Sequence, residues 1–253
     1  LWMLGTGDAD ADVREATEKL ADGYVVFKIK VGAETAAADI DRTDRFCAAL
    51  GTGNLISADA NQGFSLEQAL TYVRGVAPTT LDFLEQPIHG GDLAGMAKVA
   101  AASRLPIGFD EGAHSVEDIA RHHELHAAGG GSLKSIKLGG LRRVYQAAVM
   151  CDSLGLKVNL ACKVAESSIG TAAVLHLAAA IPTHDWGVSL TSQYFAQDIV
   201  CAPLVFAKGH AVVPAGPGLG IEAAQACVRK YAQRVCLITA RRTVCSAGPA
   251  CIE

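Results

Sequence analysis

The feature that most constrains this chain is a regular alternation of short apolar runs with longer, helix-compatible stretches. Apolar runs bounded by turn residues recur eight times, roughly every 25 to 30 residues, at 1–4, 24–31, 54–59, 81–85, 105–110, 132–137, 156–162 and 186–190. Helix-compatible stretches between them include 10–21, 65–75, 115–128, 140–154 and 167–181. Alternation at this period indicates parallel strands joined by crossover helices. Eight such units in about 250 residues predict an α/β fold, the closed (β/α)8 or TIM barrel.

An open, doubly wound sheet would also explain the alternation, but it needs a glycine-rich phosphate loop after an early strand. Gly5 and Gly7 in LGTGDAD lack the third glycine of such a loop. The barrel is therefore the preferred fold, over residues 1–222. Residues 223–253 are predicted to form a C-terminal tail that contains Cys236, Cys245 and Cys251, and its structure is left open.

Charge and cysteine content narrow the classes of partner and the cellular location that we expect for this chain. The net charge is −4, and the Lys and Arg residues form no stripe, which argues against a nucleic-acid groove or an anionic membrane surface. A small-molecule partner is expected instead, and self-association into a homo-oligomer is left open. The eight cysteines include no CxxC pair, and the apolar runs are strand-sized, so we expect a cytoplasmic protein without a membrane span.

Three predicted strands end in a carboxylate. Asp59, Glu85 and Asp110 end the third, fourth and fifth strands, at intervals of 26 and 25 residues. Functional groups of a barrel lie at the carboxyl ends of its strands, and neighbouring strands are about 4.8 Å apart. Three oxygen ligands converging there predict a site for Mg²⁺, with Mn²⁺ as the alternative. A single Asp at a strand end more often caps a helix or a turn, and that interpretation weakens when three lie in register.

Two predicted strands carry paired lysines. Lys28 and Lys30 lie on the second strand, whereas Lys134 and Lys137 are expected on the sixth. These strands are opposite one another in an eight-stranded barrel, so a substrate between them meets an amine or ammonium group on each face. A lysine acts as a base when burial and a neighbouring cation lower its pKa. The alternative is that such lysines pair with carboxylates or extend to solvent, and it is favoured for Lys137.

The segment RHHELH contains three histidines, His122, His123 and His126. Their spacing includes an i, i+4 pair that could bind zinc on a helix. In a barrel this helix lies on the outside, so we expect these histidines to be solvated surface residues.

Seven motifs in order, FKIKVG, DANQG, EQP, DEG, LKSIKLGGL, ESSIGTAA and GPGLGIE, resemble the enolase superfamily. The resemblance is to the C-terminal barrel domain of the mandelate racemase/muconate lactonizing enzyme family, muconate lactonizing enzyme subgroup, and covers about residues 1 to 222. It implies one Mg²⁺ bound by Asp59, Glu85 and Asp110, abstraction of a proton α to a carboxylate, and an enediolate stabilised on the metal. Members also have an N-terminal α+β capping domain, and because this chain starts at the first barrel strand we expect a barrel without it.

The resemblance also implies residue roles. Lys30 resembles the general base, Lys28 the neighbouring ammonium group that contacts the substrate carboxylate, and Lys134 the lysine of the opposite face. The resemblance places Asn61 and Glu111 around the metal ligands. Glu166 resembles the family's active-site glutamate. Lys163 in ACKVAESS departs from the family, and we expect it to hold a second anionic or carbonyl group of the substrate or, alternatively, to face solvent.

These roles predict an isomerase or lyase. Two opposed lysines favour racemisation or epimerisation of an amino-acid derivative. Two other reactions are alternatives on the same site: β-elimination, such as hydroxyproline dehydration, and cycloisomerisation. WGVSLTSQY lacks the alternating aspartates of the family's dipeptide epimerases, and SLTSQYFAQDIV resembles members that act on proline derivatives. A non-catalytic barrel that binds metal and carboxylate remains the alternative from another class.

Overall fold

Eight parallel strands, in the order of the sequence, form one sheet. The computed structural model describes residues 1–77 and 81–232, and the backbone of 234–238 and 243–247. The strands are β1 (Trp2–Leu4), β2 (Val26–Lys30), β3 (Leu55–Asp59), β4 (Phe83–Glu85), β5 (Ile107–Phe109), β6 (Gly130–Leu133), β7 (Lys157–Ala161) and β8 (Val188–Ser189). Each strand pairs in parallel with the next, from β1 to β8.

The two edge strands of this sheet meet, so the sheet curls into a nearly closed barrel. The backbone nitrogen of Leu1 donates a hydrogen bond to the carbonyl oxygen of Val188 at 3.0 Å. Beside it, the rings of Trp2 and Tyr194 pack edge to face with 5.0 Å between their centroids. The predicted (β/α)8 fold is thus confirmed.

Helices follow the strands and cover the outside of the barrel. They are α1 (Ala9–Ala21), α2 (Ala36–Leu50), α3 (Leu66–Gly75), α4 (Leu93–Ala102), α5 (Val116–Glu124), α6 (Ser135–Leu138), α7 (Leu141–Ser153) and α8 (Ser168–Ala180). The first five each begin after a short polar residue whose side chain accepts a backbone N–H of the first turn: Asp8, Thr35, Ser65, Asp92 and Ser115. Such caps satisfy donors that a helix start leaves unpaired. Because helices cover the sheet, most strand residues are buried on both faces.

The sixth strand differs from the prediction. It covers Gly130–Leu133 rather than 132–137, so Lys134 is the residue before α6 and Lys137 lies within that short helix. The sequence signal was misplaced because glycine is a poor strand former. The glycines are required by packing: a Cβ on Gly130 would overlap the Lys157 carbonyl oxygen and lie 2.8 Å from the Trp186 ring.

One of the three histidines predicted to lie on the surface is in fact buried. His122 is 2% exposed, and its ring packs against that of Phe109 at 5.2 Å. Its Nδ1 lies 2.8 Å from the carbonyl oxygen of Asp118, which assigns the proton to Nδ1. Burial lowers the pKa of His122. The surface interpretation was wrong for His122 because α5 turns this residue toward the barrel, whereas His126 is exposed.

Beyond β8 the chain forms small elements. They are β9 (Phe206–Ala207), β10 (His210–Ala211), α9 (Gln225–Tyr231), β11 (Arg234–Ile238) and β12 (Thr243–Ala247). The tail boundary at residue 222 stays a prediction; Cys251 and the side chains of Cys236 and Cys245 lie outside the described residues. Within the described residues, no helix combines the length and apolar character that crossing a membrane requires.

We predict that Gly130→Ala destabilises the barrel by about 2 kcal/mol or more, because the new methyl group meets backbone that cannot swing aside. The measurement is the free energy of unfolding in urea. Gly129→Ala is the matched control, since the nearest atom to its added Cβ is Pro106 Cβ at 3.7 Å. Equal stability of the two variants would contradict this account of β6.

Candidate active site

The three carboxylates predicted as ligands lie at one end of the barrel. Asp59 and Glu85 are the last residues of β3 and β4 and are register partners, and Asp110 directly follows β5. Their exposures are 3%, 1% and 1%. Three buried negative charges close together are unfavourable unless cations compensate them. Nearby side chains must therefore supply positive charge.

Lys28, a buried residue of β2, supplies one such positive charge. Its side chain is buried, and its ammonium group donates a hydrogen bond to Glu85 Oε2. Burial alone lowers the pKa of Lys28, but the carboxylates of Glu85, Asp59 and Asp110 outweigh burial and raise it. Burial also raises the pKa of Glu85, against the attraction of Lys28. Lys28 is thus a protonated, buried cation.

Lys30 lies at the carboxyl end of the same strand and is more accessible, with 34% of its side chain exposed. Its Nζ donates to Asp59 Oδ2 at 2.6 Å and to Asn61 Oδ1 at 2.7 Å. The amide nitrogen of Asn61 in turn donates to Glu111 Oε1 at 3.0 Å. The predicted base and two of the predicted surrounding groups therefore form one hydrogen-bonded chain.

On the far side of the cluster two lysines contact the third carboxylate. Lys134 donates to Asp110 Oδ2, and Lys137 Nζ lies 2.5 Å from Asp110 Oδ1. Burial raises the pKa of Asp110, but Lys137 and Lys134 outweigh it and lower the value to about 2. Burial lowers the pKa of Lys137 against the attraction of Asp110, whereas carboxylates around Lys134 overcome burial and raise its pKa. The favoured interpretation of Lys137, pairing with a carboxylate, is confirmed.

Sequence reasoning missed three buried polar residues that position this cluster. Gln86 Oε1 accepts hydrogen bonds from the backbone nitrogens of Asp110, at 2.8 Å, and Gly112, at 3.0 Å. Ser132 Oγ donates to Glu85 Oε1 at 2.7 Å and lies 3.0 Å from Asn159 Oδ1. A usable signal existed, because Ser132 and Asn159 interrupt apolar strands at positions that face the barrel interior.

Glu166 and Lys163 lie on the loop after β7, apart from the carboxylate cluster. The backbone nitrogen of Lys163 donates to Glu166 Oε2 at 2.8 Å, and the nitrogen of Glu166 donates to Thr191 Oγ1 at 3.1 Å. The Lys163 side chain is exposed. In the described part of the chain, no hydrogen bond or ion pair joins either residue to the cluster, so their roles stay predictions.

The donor set suits a hard divalent cation. All three candidate ligands are carboxylates, which Mg²⁺ prefers, and no thiolate or imidazole lies among them. Each of the three carboxylates also contacts a lysine ammonium group. Among the described residues, no three His, Cys, Asp or Glu side chains gather around one point as metal ligands would. Mg²⁺ binding by Asp59, Glu85 and Asp110 therefore stays a prediction that the donor chemistry fits.

Comparison with known families identifies this barrel. The profile of the enolase C-terminal domain-like family matches residues 11–226. The chain belongs to this family. The enolase-superfamily resemblance drawn from the motifs is thereby confirmed, and the site just described occupies the barrel end where enolase-type barrels are expected to carry function.

Proteins named as cycloisomerases and an epimerase are similar to this chain in sequence or in structure. Chloromuconate cycloisomerase of Cupriavidus pinatubonensis is 31% identical over 234 residues, which are 92% of this chain and 63% of that protein. L-Ala-D/L-Glu epimerase of Bacillus subtilis is 28% identical over 87% of this chain and 60% of its own. Muconate cycloisomerase from Pseudomonas fluorescens has a TM-score of 0.83 at 29% identity, covering 90% of this chain and 63% of that one. The chain thus spans about three fifths of the length of these relatives.

Acid unfolding of the metal-free protein should depend on Lys137. The pKa of Asp110, about 2, lies below its ordinary 3.8, so ionised Asp110 adds stability above about pH 4 that is lost as the pH falls toward 2. Lys137→Met removes an ammonium group that holds this pKa down, so we expect its unfolding midpoint, followed by circular dichroism in EDTA, to move to higher pH. Lys157→Met, which loses only a surface pair with Asp185 at 3.4 Å, should move it far less. Identical midpoints for both variants would contradict the role given to Lys137.

Proposed function

We propose that this barrel removes a proton from the carbon next to a carboxylate in an Mg²⁺-dependent reaction. The reaction racemises or epimerises an amino-acid derivative, and proline derivatives are the first class to test. One observation carries the proposal: lysines reach the same buried carboxylate cluster from opposite walls of the barrel. A barrel that only binds a carboxylate has no physical need for two opposed bases.

The strand order places Lys30 and Lys134 on opposite walls of the barrel. Lys30 is on β2, and Lys134 follows β6, four strands away in a barrel of eight. Lys30 contacts Asp59, and Lys134 contacts Asp110, so the cluster lies between them. A substrate held over the cluster would present one face of its α carbon to each lysine.

Charge is the main chemical difficulty. A proton beside a carboxylate is weakly acidic, because its removal adds a second negative charge to the same group, and catalysis must stabilise that charge where it develops. Asp59, Glu85 and Asp110 would hold the Mg²⁺, with Mn²⁺ as the alternative; when bound, it supplies positive charge to the substrate carboxylate. The buried ammonium group of Lys28 adds a fixed positive charge from the protein.

Lys30 and Lys134, on opposite walls of the barrel, then transfer the protons. The neutral amine of Lys30 accepts the α proton and becomes an ammonium group. This ammonium group can donate hydrogen bonds to Asn61 Oδ1 and Asp59 Oδ2. The ammonium group of Lys134 donates its own proton to the opposite face of the carbon and becomes an amine. The carbon is inverted, and the reverse sequence restores it. Glu166, at the barrel mouth, would contact the substrate away from this axis.

Cycloisomerisation is the second candidate. It is favoured by the relatives whose names include chloromuconate cycloisomerase and muconate cycloisomerase, whereas the L-Ala-D/L-Glu epimerase favours epimerisation. Proton transfer next to a carboxylate on one face is common to this reaction and to β-elimination, such as hydroxyproline dehydration. The products distinguish them: inversion keeps the substrate's constitution, ring formation changes it, and elimination releases water.

The test is proton NMR in D₂O with Mg²⁺, following α-hydrogen exchange and new product peaks over proline derivatives, N-acyl amino acids, dipeptides and muconate. Lys30→Ala and Lys134→Ala should each slow turnover by about 10²- to 10⁴-fold, because each removes a proton-transfer group. Lys98→Ala, a change on the exposed side of α4, is the control. No exchange with any compound, in a protein shown to be folded and metal-bound, would favour the non-catalytic barrel and overturn the proposal.

Metal binding is tested separately from turnover. Titration with Mn²⁺, followed by electron paramagnetic resonance, should give one site, and Asp59→Asn should weaken it by about 10-fold or more. Asp185→Asn, on the surface, is the control. EDTA should abolish exchange, and added Mg²⁺ should restore it. Unchanged Mn²⁺ affinity in Asp59→Asn would rule out Asp59 as a ligand.

A further inference from the structure

We propose that Arg42, on α2, is a positioning residue for Lys30, the base of the proposed reaction. Arg42 acts from the outside of the barrel, through the main chain of β2 and through the loop that follows β1. This inference goes beyond the proposed function, and it rests on that function only for the role given to Lys30.

The carbonyl oxygen of Lys30 is held by the Arg42 side chain at the end of β2. The parallel pairing of β1 with β2 ends at Leu4 with Ile29, one residue before Lys30. The guanidinium group of Arg42 then donates a hydrogen bond to the Lys30 carbonyl oxygen. Because the peptide unit is planar and the backbone sets the direction of each side chain, a fixed carbonyl group restricts where the Lys30 side chain can point.

Arg42 is itself anchored by two buried carboxylates. Its Nη2 donates to Asp39 Oδ1 at 3.1 Å, and its Nη1 lies 3.7 Å from Asp12 Oδ2. Asp39 and Asp12 are 2% and 1% exposed. Asp12 Oδ2 makes no hydrogen bond with any residue that the structure describes, so its charge depends on the guanidinium group. Asp39 Oδ2 also accepts the backbone N–H of Gly32 at 2.8 Å, which ties α2 to the segment just beyond Lys30.

The other carboxylate holds the loop that packs on the Lys30 side chain. Asp12 Oδ1 accepts hydrogen bonds from the backbone nitrogen of Thr6, at 3.1 Å, and from its hydroxyl group, at 2.7 Å. Gly5 precedes Thr6, and a Cβ built on it would lie 3.2 Å from Lys30 Cγ. The loop after β1 therefore lies directly against the aliphatic part of Lys30. Arg42, paired with Asp12, supports this loop as well as the main chain.

Lys30 depends on such support because its own side chain is less enclosed than those of the other lysines. Its side chain is 34% exposed, against 4% for Lys28 and 21% for Lys134. A displacement of about 1 Å at a reacting group can slow a reaction by about 10²-fold. Among the described residues, no hydrogen bond or ion pair joins Arg42 to Lys134, across the barrel. Loss of Arg42 should therefore impair proton transfer on one face of the substrate.

The first test is structural and needs no substrate. Crystal structures of the wild-type chain, Arg42→Met and Arg45→Met are compared in EDTA. Arg45 is the matched control, because it lies on the same helix and its ion pairs are on the surface. We expect Lys30 Nζ to lose its hydrogen bond to Asn61 Oδ1 in Arg42→Met and to keep it in Arg45→Met. An unchanged Lys30 in Arg42→Met would overturn the proposal.

Urea unfolding establishes that each variant is folded. If Arg42→Met does not fold, the double variant Arg42→Met with Asp12→Asn takes its place in both tests. The second change removes the buried carboxylate that the first leaves without a cation.

The second test is kinetic and uses the L and D enantiomers of N-acetylproline, with α-hydrogen exchange followed in D₂O with Mg²⁺. The enantiomer that Lys30 deprotonates is the one whose exchange Lys30→Ala slows more. For this enantiomer we expect Arg42→Met to lower kcat by about 10- to 100-fold with little change in KM, because the base is displaced and the binding groups are not. Exchange of the mirror image, which Lys134 deprotonates, should change little, and Arg45→Met should affect neither.

The outcomes separate the two proposals. Equal slowing of both enantiomers in Arg42→Met, or slowing of neither, would overturn the positioning role. A displaced Lys30 in Arg42→Met, together with no exchange of either enantiomer by the wild-type chain, would leave the positioning role standing and count against the proposed reaction. Exchange by the wild-type chain with an unchanged Lys30 in Arg42→Met would have the opposite meaning.

Discussion

The structure of this site depends on one electrostatic constraint: three carboxylates are buried side by side at the ends of β3, β4 and β5. Without compensation, that arrangement would be strongly destabilising. Lysines from both sides, together with hydrogen bonds from buried neutral groups, make it tolerable. Binding of a divalent cation would add to this compensation and free some of the lysines. The lysines therefore account for the burial of three carboxylates, and the same carboxylates account for the metal site that we propose.

Much of this could be read from the sequence because barrel geometry is periodic. Regular spacing of strands located Asp59, Glu85 and Asp110 at strand ends, and strand count alone placed β2 and β6 on opposite walls. These predictions needed no side-chain packing. The family assignment followed from short motifs in a fixed order, and the comparisons confirmed it.

The positions of some residues depend on tertiary packing and could not be predicted from the periodicity of the sequence. Gly130 looks like a loop residue, yet it lies in β6 because Trp186 and the backbone of β7 leave no room for a larger side chain. His122 looks like a surface residue, yet α5 buries it against Phe109. Gln86 has no periodic signature, since its importance comes from backbone groups more than twenty residues away. Such residues become visible only when distant segments are brought together.

The chain of hydrogen bonds from Glu111 through Asn61 to Lys30 has a stereochemical consequence. An ionised carboxylate can only accept, so Glu111 fixes which end of the Asn61 amide it faces, and the amide oxygen must point at Lys30. As a neutral amine, Lys30 would use its two N–H bonds for Asn61 Oδ1 and Asp59 Oδ2. Its lone pair would then be the one direction left unoccupied. In the proposed reaction, these two hydrogen bonds would thereby orient the Lys30 lone pair before any substrate arrives.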